Sequence, residues 1–382
     1  MKKEKKNIRK VPNLRFPEFK GEWKQEKLKN ISEINPKHEG IPKSFIYIDL
    51  ESVINGRLLK EVKIFRDNAP SRAQRLLKKE DVIFQMVRPY QKNNLLFNKE
   101  GDYVASTGYA QIRTKENSRF VYQFLHNQDF VRKVLNKCTG TSYPAINSKD
   151  LGEIKVPFPE LKEQLKISTF FSLNDKKIQA QIKTIEHLET LIKGVSKKLF
   201  SQELRFTGFD DNWEVRKLKE LCQVTKGKQL NREKLTKKGK YPCQNGGILP
   251  SGYTDKFNSE ADSITISEGG NSCGYVNFIK TKFWLGGHCY KVTPLVNINK
   301  VYLYFLLKHN ENLIMRLRVG SGLPNIQIKS IKKYKICISK SLEEQTKIAS
   351  FLSSIDEKIE TEKAILEQLK NQKKYFLQNL FV

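Results

Sequence analysis

Two pseudo-symmetric halves, each a mixed α/β globule that ends in a long helix, are what this 382-residue α+β chain predicts. Three features carry that expectation. A line of residues is written twice. An apolar period of 3.5 residues closes each half. Short β-rich runs bounded by glycine turns fill the space before it. The doubled line matters most, because self-similarity at a fixed offset marks a repeat architecture.

The line LRFPEFKGEW (Leu14 to Trp23) returns as LRFTGFDDNW (Leu204 to Trp213), 190 residues later. Phe19 falls on Phe209, Trp23 on Trp213 and Leu28 on Leu218. A second match has an offset of 180: VYQF from Val121 against VYLY from Val301, then TGTSYPAI (Thr139 to Ile146) against VGSGLPNI (Val319 to Ile326). A third, at 181, sets Glu163-Gln164 on Glu344-Gln345, Ile167 on Ile348, Phe170 on Phe351 and Asp175 on Asp356. The middles, 38–120 and 229–300, barely resemble each other. Drift alone would blur the frame as much as the middle, so the pattern describes one scaffold holding two different readers.

Each half closes on a helix. Ile178, Ile182, Ile185, Leu188, Ile192, Val195 and Leu199 step by an average of 3.5, the seam of a coiled coil. Ile348, Leu352, Ile355, Ile359, Leu366, Leu369, Phe376 and Leu380 keep that period in the second half. Glu163, Gln164, Glu344 and Gln345 head these helices and are assigned with them to helix pairing. Leu161 to Phe200, unbroken, would span ~60 Å. A Lys-rich amphipathic helix can also lie on a membrane surface. The sustained heptad argues instead for a partner helix, and the other copy is the nearest one. The expected partition is 1–160, 161–203, 204–341 and 342–382, with globules and helices alternating.

The middles read as strands and turns. FIYIDL (Phe45 to Leu50), DVIFQMV (Asp81 to Val87) and YVAS (Tyr103 to Ser106) are short β-rich runs in the first half. SITIS (Ser263 to Ser267), GYVNFI (Gly274 to Ile279) and HCYKVT (His288 to Thr293) are their counterparts. NGG, EGGNSCG and GG separate those of the second half.

Composition narrows the partners. Seventy Lys+Arg against 41 Asp+Glu leave a net charge of +29, which points to a polyanion, nucleic acid being the usual one. At 38% hydrophobic and 10% aromatic, the chain can build real cores. The six cysteines form no C-x-x-C pair and read as reduced thiols of a cytoplasmic protein. A zinc site drawn from Cys243, Cys273, His288 and Cys289 has no common ligand spacing. No apolar run approaches a membrane span. MKKEKKNIRK, with no hydrophobic region behind it, reads as a solvated basic arm rather than a signal peptide.

Catalytic motifs are not evident. G-x-x-x-x-G-K-[ST] does not occur, and EGGNSCG lacks its lysine and lies between strands. Asn35-Pro36 continues with Lys37, unlike the Asn-Pro-Pro-aromatic run of amino-methyltransferases. Asp49, Glu61 and Lys63 have the residue types of a nuclease metal site but occur only in the first half. A basic, duplicated chain with two variable modules points to recognition. Base edges are read by Arg, Lys, Asn, Gln and hydroxyl side chains. The loops of the first middle offer Arg72, Gln74, Arg75, Arg88, Gln91 and Lys92. Those of the second offer Gln244, Asn245, Tyr253, Asn271, Ser272, His288 and Tyr290.

These residues resemble a known family, the DNA-specificity subunits of type I restriction-modification enzymes. The carrying motifs are the LRF…F…W line at the head of each half, YPCQNGGILPSGYTDK (Tyr241 to Lys256), GNSCGYV (Gly270 to Val276), FWLGGHCY (Phe283 to Tyr290) and SGLPNI (Ser321 to Ile326). The joins VPFPELKEQLKI (Val156 to Ile167) and SLEEQTKI (Ser341 to Ile348) also fit. Cys337 and Ser339 stand where the first join has Pro157 and Pro159. The resemblance implies two target recognition domains held apart by two long antiparallel coiled-coil helices. It implies a bipartite site on double-stranded DNA, one half-site per domain. It implies two methyltransferase (modification) subunits and restriction/motor subunits as partners. S-adenosylmethionine, ATP and magnesium would be bound by those partners and none by this chain. The competing readings are a non-enzymatic nucleic-acid adaptor, such as an RNA-binding scaffold, and a self-sufficient nuclease built on Asp49 and Glu61.

Overall fold

A computed structural model describes residues 11–320, 322 and 324–382. The basic arm and two residues of SGLPNI, Ser321 and Leu323, lie outside the described residues. The chain divides into two compact units. One holds the chain up to Ile182 together with Ile365–Val382, and the other holds Lys183–Ala364. The division falls inside both long helices, Leu161–Phe200 and Leu342–Asn379.

In the first unit the doubled line leads into strand Lys24–Lys27. This strand pairs antiparallel with Lys155–Phe158, which immediately precedes the long helix. One antiparallel sheet runs in the order Ser32–Ile34, Tyr109–Thr114, Val82–Gln85, Leu95–Leu96. A second runs Val62–Phe65, Ser44–Ile48, Tyr103–Ser106, Ala73–Leu76, with its middle pair parallel. The unbroken apolar run Val82–Phe84 is buried on both faces, as a central strand requires. Asn117, Asn127 and Asn147 cap three short helices by accepting from backbone N–H groups with their side chains.

The second unit repeats this plan. Glu214–Lys217 pairs with Lys335–Ile338. Its antiparallel sheet runs Cys222–Lys226, Cys289–Pro294, Ser263–Ser267, Val276–Ile279. Its second sheet runs Gly252–Thr254, Tyr241–Gln244, Trp284–Leu285, and the last two strands are parallel. Each of these strands occupies the place of a counterpart in the first unit, whose edge strand Ala73–Leu76 has none here among the described residues. The middles therefore share a strand order that their sequences do not show.

The long helices pair antiparallel within each unit. In the first, Phe170 packs edge-on against Phe376, and Asp175 pairs with Lys373 at 2.6 Å. In the second, Glu189 pairs with Lys363 at 3.1 Å, while Leu199 and Phe200 join Ile348 and Leu352 in one core. Of the seam residues, Ile185 and Ile359 are buried, and Ile178, Ile182, Ile355 and Leu366 are half-buried. Helix ends complete the globular cores. Phe381 touches Trp23, Phe120, Phe124 and Phe171. Phe200 plays the same part beside Trp213 and Tyr302.

The polar heads of the helices require a correction. Glu163, Gln164, Glu344 and Gln345 do not lie on the helix-pairing seam; all four are buried against their own globules. Arg15 of the doubled line forks onto Glu163, Nε to Oε1 and a terminal nitrogen to Oε2, both at 2.8 Å. Arg205 forks onto Glu344 at 2.8 and 3.2 Å. Gln164 accepts from the N–H of Asn117, and Gln345 from that of Asn299, each the cap of a core helix. The two repeated motifs are mates: one supplies the guanidinium and the other the carboxylate. A buried carboxylate needs such a partner.

Candidate nucleic-acid interface

Four loops of the first unit are tied together by backbone hydrogen bonds. Thr107 N–H donates to Arg72 O, Met86 N–H to Gly108 O, Arg88 N–H to Pro144 O and Ile146 N–H to Met86 O. Thr139 and Ala145 close the last loop by a mutual pair. Arg88 sits in the left-handed region, φ 54°, and heads a single 3₁₀ turn, Pro89–Gln91. Its guanidinium carbon lies 4.1 Å from the ring centre of Tyr143, which is 64% exposed. The pair forms a flat cationic platform.

The remaining first-unit candidates divide by exposure. Arg72, Gln74 and Gln91 are exposed, although Gln74 donates to Ser71 O and Gln91 accepts from Gln85. Arg75 is half-buried, and burial pushes its guanidinium below the ordinary arginine range. Lys92 donates to His126 O at 2.8 Å and to Gln128 Oε1 at 3.1 Å. Burial, then the charge of Lys374, lowers its pKa.

The second unit lays the same ties with different side chains. Glu268 N–H donates to His288 O, Gly270 N–H to Pro324 O and Ile326 N–H to Glu268 O, and Val319 pairs with Asn325. These bonds match those of Met86, Arg88, Ile146 and Thr139–Ala145 one for one. Glu268 therefore stands where the first unit has Met86, and Gly270 where it has Arg88. Lys226 donates to Glu268 Oε1 at 2.6 Å, and His288 Nδ1 lies 3.7 Å from Oε2.

Among the second-unit candidates, Asn271 and His288 are exposed, and Tyr253 is 38% exposed. Asn245 accepts from His288 N–H at 3.1 Å, and Ser272 donates to Gly246 O at 2.7 Å, so both brace the glycine turns. Gln244 and Tyr290 are buried and do not reach the surface. Gln244 donates to Gly247 O, and the Tyr290 hydroxyl donates to Glu268 Oε1 at 2.7 Å. Sequence reasoning overlooked Glu268 and Tyr143. The first lay within a stretch taken as a turn; the second was visible only as a departure inside the repeated TGTSYPAI line.

The residues of the other readings are engaged elsewhere. Asp49 Oδ1 accepts from the N–H groups of Glu51 and Ser52, whereas Glu61 binds Lys99 and Tyr103. Cys243, Cys273 and Cys289 are buried, and burial pushes Cys289 up to about 12. Among the described residues no group of three or more metal-ligating side chains comes together. None of the described helices is long and apolar enough to cross a membrane.

A duplicated α+β frame that holds two dissimilar loop clusters at matching positions is a twin-module scaffold. Residues 20–190 and 210–371 match the type I restriction modification DNA specificity domain, and the chain belongs to that family. A protein of Mycoplasma genitalium named as a type I specificity subunit is 34% identical over 158 residues, 41% of each chain. One of Mycoplasma pneumoniae with the same kind of name is 33% identical over 174 residues, 45% of this chain and 46% of that one. The chain thus spans under half the length of these two curated relatives. The MjaVIII specificity subunit of Methanocaldococcus jannaschii is 27% identical, over 62% of this chain and 63% of its own. The crystal structure of a type I restriction-modification S subunit from M. genitalium shares the fold, with a TM-score of 0.67 at 21% identity over 97% of this chain and 99% of that one.

Proposed function

We propose that this chain is the DNA-binding specificity subunit of a type I restriction-modification enzyme. Each unit reads one half of a bipartite duplex site through its own loop cluster. The chain performs no bond chemistry. It directs two methyltransferase subunits, and the restriction/motor subunits that join them, to the site. S-adenosylmethionine, ATP and magnesium are held by those partners in the cytoplasm. The supporting observation is the one-for-one backbone frame under dissimilar tips: Arg88 stands where the other unit has Gly270, and Gly108 where it has His288. Side chains that differ at equivalent places read different bases. The net charge of +29 supplies the sequence-independent attraction to phosphate.

The test is methylome sequencing of a host carrying the whole system, first with the parent chain and then with residues 38–120 exchanged for those of a homologue. The expected result is a new base pattern in one half of the methylated motif and an unchanged other half. A hybrid that changes both halves together would refute the two-reader assignment.

A further inference from the structure

A pocket of about 380 Å³ in the first unit lies between the loop carrying Gln91 and Lys92, the core helix ending near His126, and Ile365–Val382. Its charged lining is four ammonium groups: Lys92, Lys370, Lys373 and Lys374. Only Lys373 has a carboxylate, Asp175 at 2.6 Å. Among the described residues, Lys92, Lys370 and Lys374 have none within ion-pair distance. His126 in the wall stays uncharged, because burial and then the fields of Lys373 and Lys92 push its pKa down to about 4.

The second unit supplies the contrast. Glu189, Lys193 and Ile359 match Lys370, Lys374 and Ile178 at the repeat offset of 181, and they line a pocket of about 880 Å³. That pocket pairs three of its four lysines, Lys363 with Glu189, Lys308 with Glu311 and Lys280 with Asp356, and leaves Lys193 alone without a carboxylate among the described residues. Like charges crowded into a concave site repel each other unless an anion joins them. Lys92 cannot readily swing away, since His126 O and Gln128 Oε1 hold its ammonium group.

We infer that the pocket formed by Lys92, Lys370, Lys373 and Lys374 binds a phosphate group, supplied by the DNA backbone beside the bases that the Arg88–Gln91 turn faces. The phosphate chemistry follows from the pocket, whereas its source in DNA rests on the proposed function. The site is specific to the first unit, so the two units hold DNA unequally. It adds affinity without base preference, because a phosphate carries no sequence information.

The test compares the full-length parent with the Lys370→Gln/Lys374→Gln chain, both positions being exposed on a helix. Binding of a mixed-sequence duplex is measured between 50 and 200 mM salt, the range over which phosphate contacts are resolved. Loss of one phosphate contact lowers the slope of log affinity against log salt by about 0.9. The Lys370→Arg/Lys374→Arg chain should keep the parental slope. A second arm measures melting temperature in inorganic phosphate against chloride at equal ionic strength. Phosphate should raise it for the parent more than for the glutamine chain. A changed slope establishes the backbone source. An unchanged slope with phosphate stabilisation of the parent alone keeps the site and assigns it to a free phosphate. No difference in either arm overturns the site. A parent that binds no duplex at all refutes the proposed function and leaves the second arm decisive.

Discussion

Removing Glu344 should harm the chain more than removing Glu163, although the repeat makes them equivalents. Among the described residues Glu163 bonds Arg15 alone, through two 2.8 Å contacts. Glu344 accepts the Arg205 fork and also Trp213 Nε1 at 2.9 Å and Ser339 Oγ at 2.5 Å. In the first unit Pro159 stands in place of Ser339, and Trp23 Nε1 is buried without a partner among the described residues. Breaking a wholly buried ion pair costs about 3–5 kcal/mol. The Arg15 and Arg205 side chains are 14% and 22% exposed, so water partly replaces what each loses. Glu163→Ala should then cost about 2–3 kcal/mol. Glu344→Ala also strands the indole N–H of half-buried Trp213 and leaves the Ser339 hydroxyl, as a donor, only its 3.4 Å bond to Ser341 O among the described residues, which adds about 2 kcal/mol. For units of roughly 200 residues that difference is ~4–8 °C in Tm. Calorimetry reads the melting temperatures, and hydrogen exchange should place each loss in its own unit. There is also a pH signature. Burial pushes the Glu344 carboxyl up, but the bonds from Arg205, Ser339 and Trp213 outweigh it and hold its pKa below the usual carboxylate value. Its contribution is therefore complete above the unfolded pKa of about 4.3 and is lost as pH falls through the lower folded value. Equal losses for the two alanine variants, or a parent-like Glu344→Ala, would refute this account of the repeated motifs.

Phe381→Ala removes a ring that four aromatic side chains of the first unit touch, so it should cost about 3–5 kcal/mol. A urea melt at unchanged slope measures this, and a loss under 1 kcal/mol would remove the helix end from the core. Arg88→Ala should lower affinity for the cognate duplex by about 1–3 kcal/mol and relax one half-site. Competition binding against single-base variants reads this, and a uniform loss on all sequences would make Arg88 a phosphate contact instead. His126 is half-buried in the pocket wall, where desolvation lowers its pKa from the ordinary 6.5 to about 4 and keeps it neutral. The unfolded chain binds its proton first as pH falls. Up to about 3 kcal/mol of stability should disappear between pH 6.5 and 4, and His126→Gln should flatten that part of the pH–stability curve.

The long helices, the doubling and several β-runs were legible because they rest on short-range patterns. Apolar spacing of 3.5 over many turns needs no knowledge of the partner. The shared order of the second sheets was not legible. Tyr241–Gln244 lies parallel to Trp284–Leu285, which is only two residues long. Pairings so short and distant in sequence leave no periodicity to read. Gln244 and Tyr290 were offered as readers because loop polarity does not distinguish a side chain that faces DNA from one that braces the loop. The hidden lysines of the pocket lie on the outer face of a heptad helix, where Lys370 and Lys374 look like ordinary solvated charge.

What repeats in sequence and what does not follows from which atoms do the tying. Arg15–Glu163 and Arg205–Glu344 are side-chain bonds, so changing either partner breaks the join between globule and helix. Both partners are therefore written in both halves. The ties beneath the loops, from Met86 to Gly108 or Glu268 to His288, run between backbone N–H and C=O groups. Any residue other than proline supplies both groups. The tips above them can change identity while keeping their aim. Arg88→Gly and Gly270→Arg offer a strict trial, since both positions have positive φ, 54° and 75°. The glycine is free at such an angle, while an arginine at Gly270 costs about 1 kcal/mol of strain. A Cβ there meets nothing within 4 Å. Each variant should keep the fold by circular dichroism and change the bases read by one unit alone. Collapse of either would show that side chains, not backbone, hold the loops.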